Sequence, residues 1–202
     1  NNAAINSLAA NTTEIFTLGV SDGFVTTYVD LVVNISAFND VPVANAQSIT
    51  PTEDTVYNGT LTGSDVENSA LTYTIVTAPT KGVVTITNTA NGAFTYTPNL
   101  NATGVDSFTF KVNDGSLDST PATISVNITA VNDVPVANAQ SITPTEDTVY
   151  NGTLTGSDVE GSALTYTIVT APTKGVVTIT DAATGAFTYT PNLNATGADS
   201  FT

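Results

Sequence analysis

Histidine, cysteine and arginine are absent from this 202-residue chain, and its whole cationic complement is Lys81, Lys111 and Lys174. Without imidazole no side chain can activate a nucleophile in the Ser–His manner, and oxyanion clamping is left to three lysines or to main-chain N–H groups. Without cysteine there is no disulfide framework and no thiolate metal site, so stability must come from the core or from hard, oxygen-bound ions. Eighteen acidic residues give a net charge of −15, which argues against a phosphate backbone or an anionic membrane as partner. No apolar stretch approaches the ~20 residues that span a bilayer. No basic segment followed by an apolar run opens the chain.

What is present is repetition. Residues 132–202 repeat residues 39–109 at an offset of 93, and five of the 71 positions differ: Asn68/Gly161, Asn88/Asp181, Thr89/Ala182, Asn91/Thr184 and Val105/Ala198. A period this long exceeds the roughly 20–50 residues of solenoid repeats, so each unit can hold its own core. One full repeat spans 39–131, and 132–202 is a second repeat without its last strands. Residues 1–38 match the end of a repeat, with Phe16–Gly23 under Phe108–Gly115 and Leu31, Val33 and Ile35 under Ile124, Val126 and Ile128. This framing makes the chain an internal excerpt of a longer protein.

Along the repeat the apolar period is two. Leu71, Tyr73 and Ile75, then Phe108, Phe110 and Val112, then Ile124, Val126 and Ile128 each alternate with polar residues, as half-buried strands do. Further strands are expected at Val43–Ile49, Gly59–Gly63, Val83–Ile86 and Ala93–Tyr96. Turn signals at Pro51, Asn58-Gly59, Lys81-Gly82, Asn91-Gly92 and Asp114-Gly115 punctuate them. Threonine and valine dominate, as strands prefer, and no segment sustains a helical period. The expectation is all-β: tandem seven-strand antiparallel β-sandwiches of immunoglobulin/cadherin-like type.

The carboxylates are not scattered. Only Asp30, Asp118 and Asp181 fall outside recurring motif positions, which are Asn39-Asp40, Glu53-Asp54, Asp65-Val66-Glu67, Asp106 and Asp114 with their counterparts. In an extended segment Asp65 and Glu67 would project to one side, where like charges repel unless a cation lies between them. Val41 precedes a proline and is held extended, making the start of the repeat a stiff connector. Asparagine and main-chain oxygens complete a set of the kind Ca²⁺ takes, with 6–8 oxygens. Taken singly, each position reads better as an ordinary solvated strand end or turn former than as a metal ligand; it is their conjunction in one unit that points to an ion.

The strings Ser64–Tyr73, Gly92–Pro98, Gly104–Phe108, Val112–Gly115 and Val131–Pro135 resemble bacterial cadherin-like tandem repeats, close to VCBS-type immunoglobulin-like repeats, which build large calcium-dependent surface adhesins. The resemblance covers the whole chain. It implies Ca²⁺ where one domain meets the next. At the first junction it assigns Glu14 upstream, Asn39 and Asp40 in the linker, Asp65 and Glu67 in place of an Asp-x-Asp element, and Asp114 at a strand end. At the second it assigns Asn132, Asp133, Asp158, Glu160 and Asp106, with Glu53 and Asp54 from the upstream domain. Gly161 in place of Asn68 removes a side-chain oxygen, so weaker binding is expected there.

The expected role is a non-enzymatic, calcium-stiffened extender on a bacterial cell surface, with neighbouring repeats as partners and neither nucleic acid nor membrane engaged. Asp65 and Glu67 could in principle form a glycosidase pair, but near-identical sites repeated along an array suit an ion-linked role better. The alternative is a repeat that itself binds a carbohydrate or protein ligand. Residues 132–202 lack counterparts of Phe110, Val112, Ile124, Val126 and Ile128, whereas the N-terminal tail carries Leu18, Val20, Leu31, Val33 and Ile35. Head-to-tail strand complementation between chains, Phe16–Ile35 of one with 132–202 of the next, is therefore expected, with Asp22 supplying the strand-end Asp.

Overall fold

A computed structural model describes residues 10–202, and the chain divides into two compact units between Ala130 and Val131. The first unit opens with an antiparallel hairpin of β1 (Thr12–Ser21) and β2 (Thr26–Ile35), with Phe16 opposite Leu31 and Leu18 opposite Val29. Asp22 Oδ1 closes its tip by accepting from the N–H groups of Phe24 and Val25 at 2.9 and 2.8 Å. One face of this ribbon carries Phe16, Leu18, Val20, Val29, Leu31 and Val33, all exposed.

The first repeat then runs through β3 (Val43–Ala44), β4 (Gln47–Ile49), β5 (Tyr57–Thr60), β6 (Gly63–Ser64), β7 (Thr72–Thr77), β8 (Gly82–Asn88), β9 (Ala93–Pro98), β10 (Gly104–Asn113) and β11 (Ala122–Ile128). These form a four-stranded sheet in the order β4-β11-β10-β7, a three-stranded sheet β5-β9-β8, and the short pair β3-β6. The core lies between the two larger sheets. On β11, Ala122, Ile124, Val126 and Ile128 are buried while the residues between them face solvent, and each of the three larger side chains contributes about 1.5–3 kcal/mol. Phe108 of β10 links the layers, its ring 5.7 Å from Phe94 in an edge contact and 6.4 Å from Tyr96 in a stacked one.

Two sequence expectations are corrected. Val43–Ile49 is not one strand: it breaks at Asn45, whose N–H donates to Thr62 O and whose side-chain amide donates to Thr62 Oγ1. Across that break the chain changes sheets, from β6 as partner of β3 to β11 as partner of β4. The β4–β11 pair is parallel, with Gln47 beside Ile124 and Ile49 beside Val126, so the sandwich is antiparallel except at this edge. Asn58-Gly59 is likewise not a turn but the middle of β5, opposite Thr95 and Phe94. A Cβ on Gly59 would stand 2.6 Å from the Phe94 ring, so the glycine is there to let an aromatic ring lie on the backbone.

The second unit reproduces the three-stranded sheet and the short pair of the first. β12 (Val136–Ala137) pairs with β14 (Gly156–Ser157), and β13 (Tyr150–Thr153), β16 (Ala186–Pro191) and β15 (Gly175–Asp181) form a three-stranded sheet in that order. Its registers are those of β5, β9 and β8 shifted by 93. Residues 140–142 and 165–170 are not strands, because their equivalents β4 and β7 are held by β11 and β10, whose counterparts the 202 residues do not include in full. The end of the chain is nonetheless bonded, Thr202 N donating to Thr170 O at 3.1 Å. Phe201 packs on Phe187 and Tyr189 as Phe108 does on Phe94 and Tyr96.

Candidate metal centre

The start of the first repeat and two of its loops bring Asn39, Asp40, Asp65, Glu67 and Asp114 into one neighbourhood. Asp65-Val66-Glu67 follows β6, and it is a turn rather than an extended segment. Asn68 N donates to Asp65 O at 3.3 Å, Ser69 N donates to Asp65 Oδ1 at 2.9 Å, and Asn68 takes a φ of 58°. The expectation that residues 65 and 67 share a side by strand alternation therefore fails on backbone geometry. Gly161 fills the equivalent left-handed position at 73°, a conformation that favours asparagine or glycine, which accounts for the exchange between the two copies.

The carboxylates of Asp65 and Glu67 are each half used. Asp65 Oδ1 serves its own turn, while Oδ2 is buried and has no hydrogen-bond partner. Glu67 Oε2 accepts from the Asp40 N–H at 3.1 Å, while Oε1 is buried without a partner. Asp114, just past β10, accepts with Oδ1 from the N–H groups of Ser116 and Leu117 and with Oδ2 from Asn39 Nδ2 at 2.9 Å. The bond from the Leu117 N–H, followed by that from Asn39, holds its carboxyl below the ordinary range. Asn39 Nδ2 also reaches Asp40 O at 3.3 Å.

The second repeat reproduces this arrangement with Asn132, Asp133, Asp158 and Glu160. Asn132 Nδ2 reaches Asp133 O at 2.9 Å, Asp133 N donates to Glu160 Oε2 at 3.0 Å, and Ser162 N donates to Asp158 Oδ1 at 2.8 Å. Among the described residues no three acidic side chains stand close enough together to surround a metal ion. The donor set nevertheless fits a hard divalent cation: buried carboxylate oxygens without donors are costly, and oxygen ligands are what such an ion takes.

Four other residues singled out in the sequence lie elsewhere. Glu14 is exposed on β1 opposite Val33. Glu53 is 2% exposed, and its N–H donates to Thr129 O at 3.0 Å. Asp54 accepts from Asn101 N at 3.1 Å. Asp106 is engaged by four donors: Thr80 N and Oγ1 on Oδ1, and Lys81 N and Tyr96 OH on Oδ2, at 2.8–3.1 Å. Burial alone would raise its carboxyl; these donors overcome that and bring it down to about 2. Asp106 thus pins the 78–81 loop to β9, a role the sequence hints at only through the Tyr96/Asp106 spacing recurring as Tyr189/Asp199.

A family model described as a bacterial Ig domain matches residues 39–127 and 132–202. Integrin beta-like protein E of Dictyostelium discoideum is 30% identical over 151 residues, 67% of this chain and 8% of that protein. Integrin beta-like protein A of the same organism is 34% identical over 147 residues, 61% of this chain and 7% of that protein. The chain therefore spans less than a tenth of the length of these curated relatives. Human CDH23 EC21-23 superposes with a TM-score of 0.59 at 17% identity, covering 90% of this chain and 65% of that one. Protocadherin gammaB7 EC3-6 gives 0.57 at 14%, covering 94% and 54%. At these identities the likeness is one of fold.

Proposed function

The chain belongs to the bacterial Ig domain family, and from that premise we propose that it is a calcium-stiffened extender segment of an extracellular adhesin on a bacterial surface. The observation that carries the proposal is the pair of buried, donorless oxygens, Asp65 Oδ2 and Glu67 Oε1, at the start of a repeat that recurs along the chain. A divalent cation would satisfy both and neutralise the charge they share with Asp114. Asn39, Asp40, Asp65, Glu67 and Asp114 would hold it in the first repeat, and Asn132, Asp133, Asp158 and Glu160 in the second. Glu14, exposed on β1, and Glu53, buried in its own repeat, lie elsewhere and are left out of the ligand set. Asp54 and Asp106 are spent on loops of their own repeat, so we leave them out of the ligand set.

Such an ion would tie the connector at the start of each repeat to that repeat, which is what stiffens an array. The similarity to integrin beta-like proteins supports an adhesive setting, and the repetition supports a spacer over an enzyme. The test is a Ca²⁺ titration of the 202-residue chain followed by small-angle scattering and calorimetry. A rise in melting temperature and in overall dimensions is expected. If chelator and Ca²⁺ give the same values for both at physiological salt, the proposal fails.

We also propose that, in the 202-residue chain, the β1–β2 hairpin of one molecule completes residues 132–202 of another. The favouring observation is register: Phe16 faces Leu31 in the hairpin as Phe108 faces Ile124 between β10 and β11, and the hairpin's apolar face is exposed. Main-chain pairing of this kind is strand addition, and a head-to-tail contact that does not close propagates.

A further inference from the structure

Two oxygens of the candidate metal centre, Asp114 Oδ2 and Glu67 Oε2, are partnered by the linker itself. A carboxylate accepts and does not donate, so the group that Asn39 presents to Asp114 Oδ2 at 2.9 Å is its NH₂ end. One residue on, the Asp40 N–H occupies Glu67 Oε2 at 3.1 Å. Both are the positive ends of dipoles, placed where a cation would draw the same oxygens. A cation held there needs the opposite: Asn39 turned to offer Oδ1, and the Asp40 N–H withdrawn from Glu67.

We propose that Asn39 and Asp40 form a latch, in which the Asn39 side-chain amide and the Asp40 N–H stand in for the cation and keep the linker docked on the repeat when no ion is bound. The inference rests on the calcium-linked role and deepens it: removal of the ion exchanges one set of linker contacts for another instead of releasing the linker. The second repeat carries the same device in reduced form. The Asp133 N–H reaches Glu160 Oε2 at 3.0 Å, but Asn132 Nδ2 reaches only the carbonyl of Asp133, and Asn132 is exposed where Asn39 is half-buried.

The test is amide exchange at Asp40 in the 202-residue chain with chelator present, in the wild type, Asn39→Asp and Asn39→Ala, alongside Ca²⁺ binding by calorimetry. The wild-type Asp40 amide should be protected, and both variants should exchange at least about tenfold faster, because neither offers Asp114 a donor. Asn39→Asp should also bind Ca²⁺ about tenfold more tightly, since ligand charge sets affinity in such sites. An Asp40 amide that exchanges in the wild type at the unstructured rate, or that is equally protected in all three chains, overturns the latch. If protection falls in the variants but Ca²⁺ binds none of the chains, the docked linker stands and calcium is removed as the ion that displaces it.

Discussion

The Tyr96 hydroxyl donates to Asp106 Oδ2 at 2.8 Å, and 93 residues later the Tyr189 hydroxyl donates to Asp199 Oδ2 at 2.9 Å. In each repeat this bond joins a strand to the loop before the previous strand, through two main-chain N–H groups that share the carboxylate. Burial together with the bond to Asp106 pushes the Tyr96 hydroxyl well above its ordinary range, so it remains a donor throughout the usable pH range.

The Asp106 network should make the first repeat acid-sensitive in a defined window. Its carboxyl titrates at about 2 against an ordinary 3.8, so the folded state favours the ionised form. The stabilisation is complete above the ordinary value and is lost as pH falls from there through about 2. Asp106→Asn, which sets an amide against two N–H donors, should cost about 1–3 kcal/mol at pH 7. The gap between wild-type and variant urea midpoints should narrow at pH 2.5; a gap unchanged between the two pH values would contradict the assignment.

Gly59→Ala should destabilise the first repeat by about 1–3 kcal/mol, because the new methyl meets the Phe94 ring and overpacked cores cost that much. Gly152→Ala should do the same against Phe187, where the spacing is also 2.6 Å. Asn58→Ala, one residue away and exposed, should stay within about 0.5 kcal/mol. Denaturant midpoints of the three variants provide the check, and a Gly59→Ala chain as stable as wild type would show that the ring moves freely.

Changing Asp65 to Asn and Glu67 to Gln together should abolish calcium-dependent stabilisation of the first repeat while leaving its β-type circular dichroism unchanged. At a Ca²⁺ concentration about 100 times Kd the wild type should gain about 2.7 kcal/mol, as mass action requires of a ligand that binds only the folded state. Loss of the fold in the double variant would mean that these side chains are structural. An undiminished calcium response would move the ion elsewhere.

Deleting residues 1–38 should abolish concentration-dependent assembly of the chain, and Leu18→Asp with Leu31→Asp should do so without shortening it. Sedimentation velocity over a hundredfold concentration range reads the outcome. A wild-type monomer at every concentration would dispose of strand complementation.

Much of the fold was legible because alternation is a local signal. The buried positions of β10 and β11 are the ones that period two picks out in Phe108–Val112 and Ile124–Ile128. What stayed hidden depended on distant partners. Asn58-Gly59 has the composition of a turn, and only the Phe94 ring lying across it explains why it is strand. Asn45 breaks a run of strand-like residues because Thr62 is there to receive it. At the site, repetition alone drew attention to the carboxylates, but residue types say nothing of who donates to whom. Asp106 therefore looked like Asp114 in the sequence, although loop N–H groups and Tyr96 saturate the first and the linker reaches the second. The turn at 65–68 hinges on the left-handed backbone of Asn68, which composition does not announce.

The parallel seam between β4 and β11 sets how a repeat bears tension. β4 lies near the beginning of the repeat and β11 near its end, side by side and pointing the same way. A pull that draws the two ends of the repeat apart therefore slides one strand along the other, loading the bonds between Gln47–Ile49 and Ile124–Val126 together, whereas an antiparallel pair joined at one end would open bond by bond. Stretching a single molecule should accordingly show each complete repeat giving way in one abrupt, high-force event; gradual low-force yielding would mean that this seam carries no load.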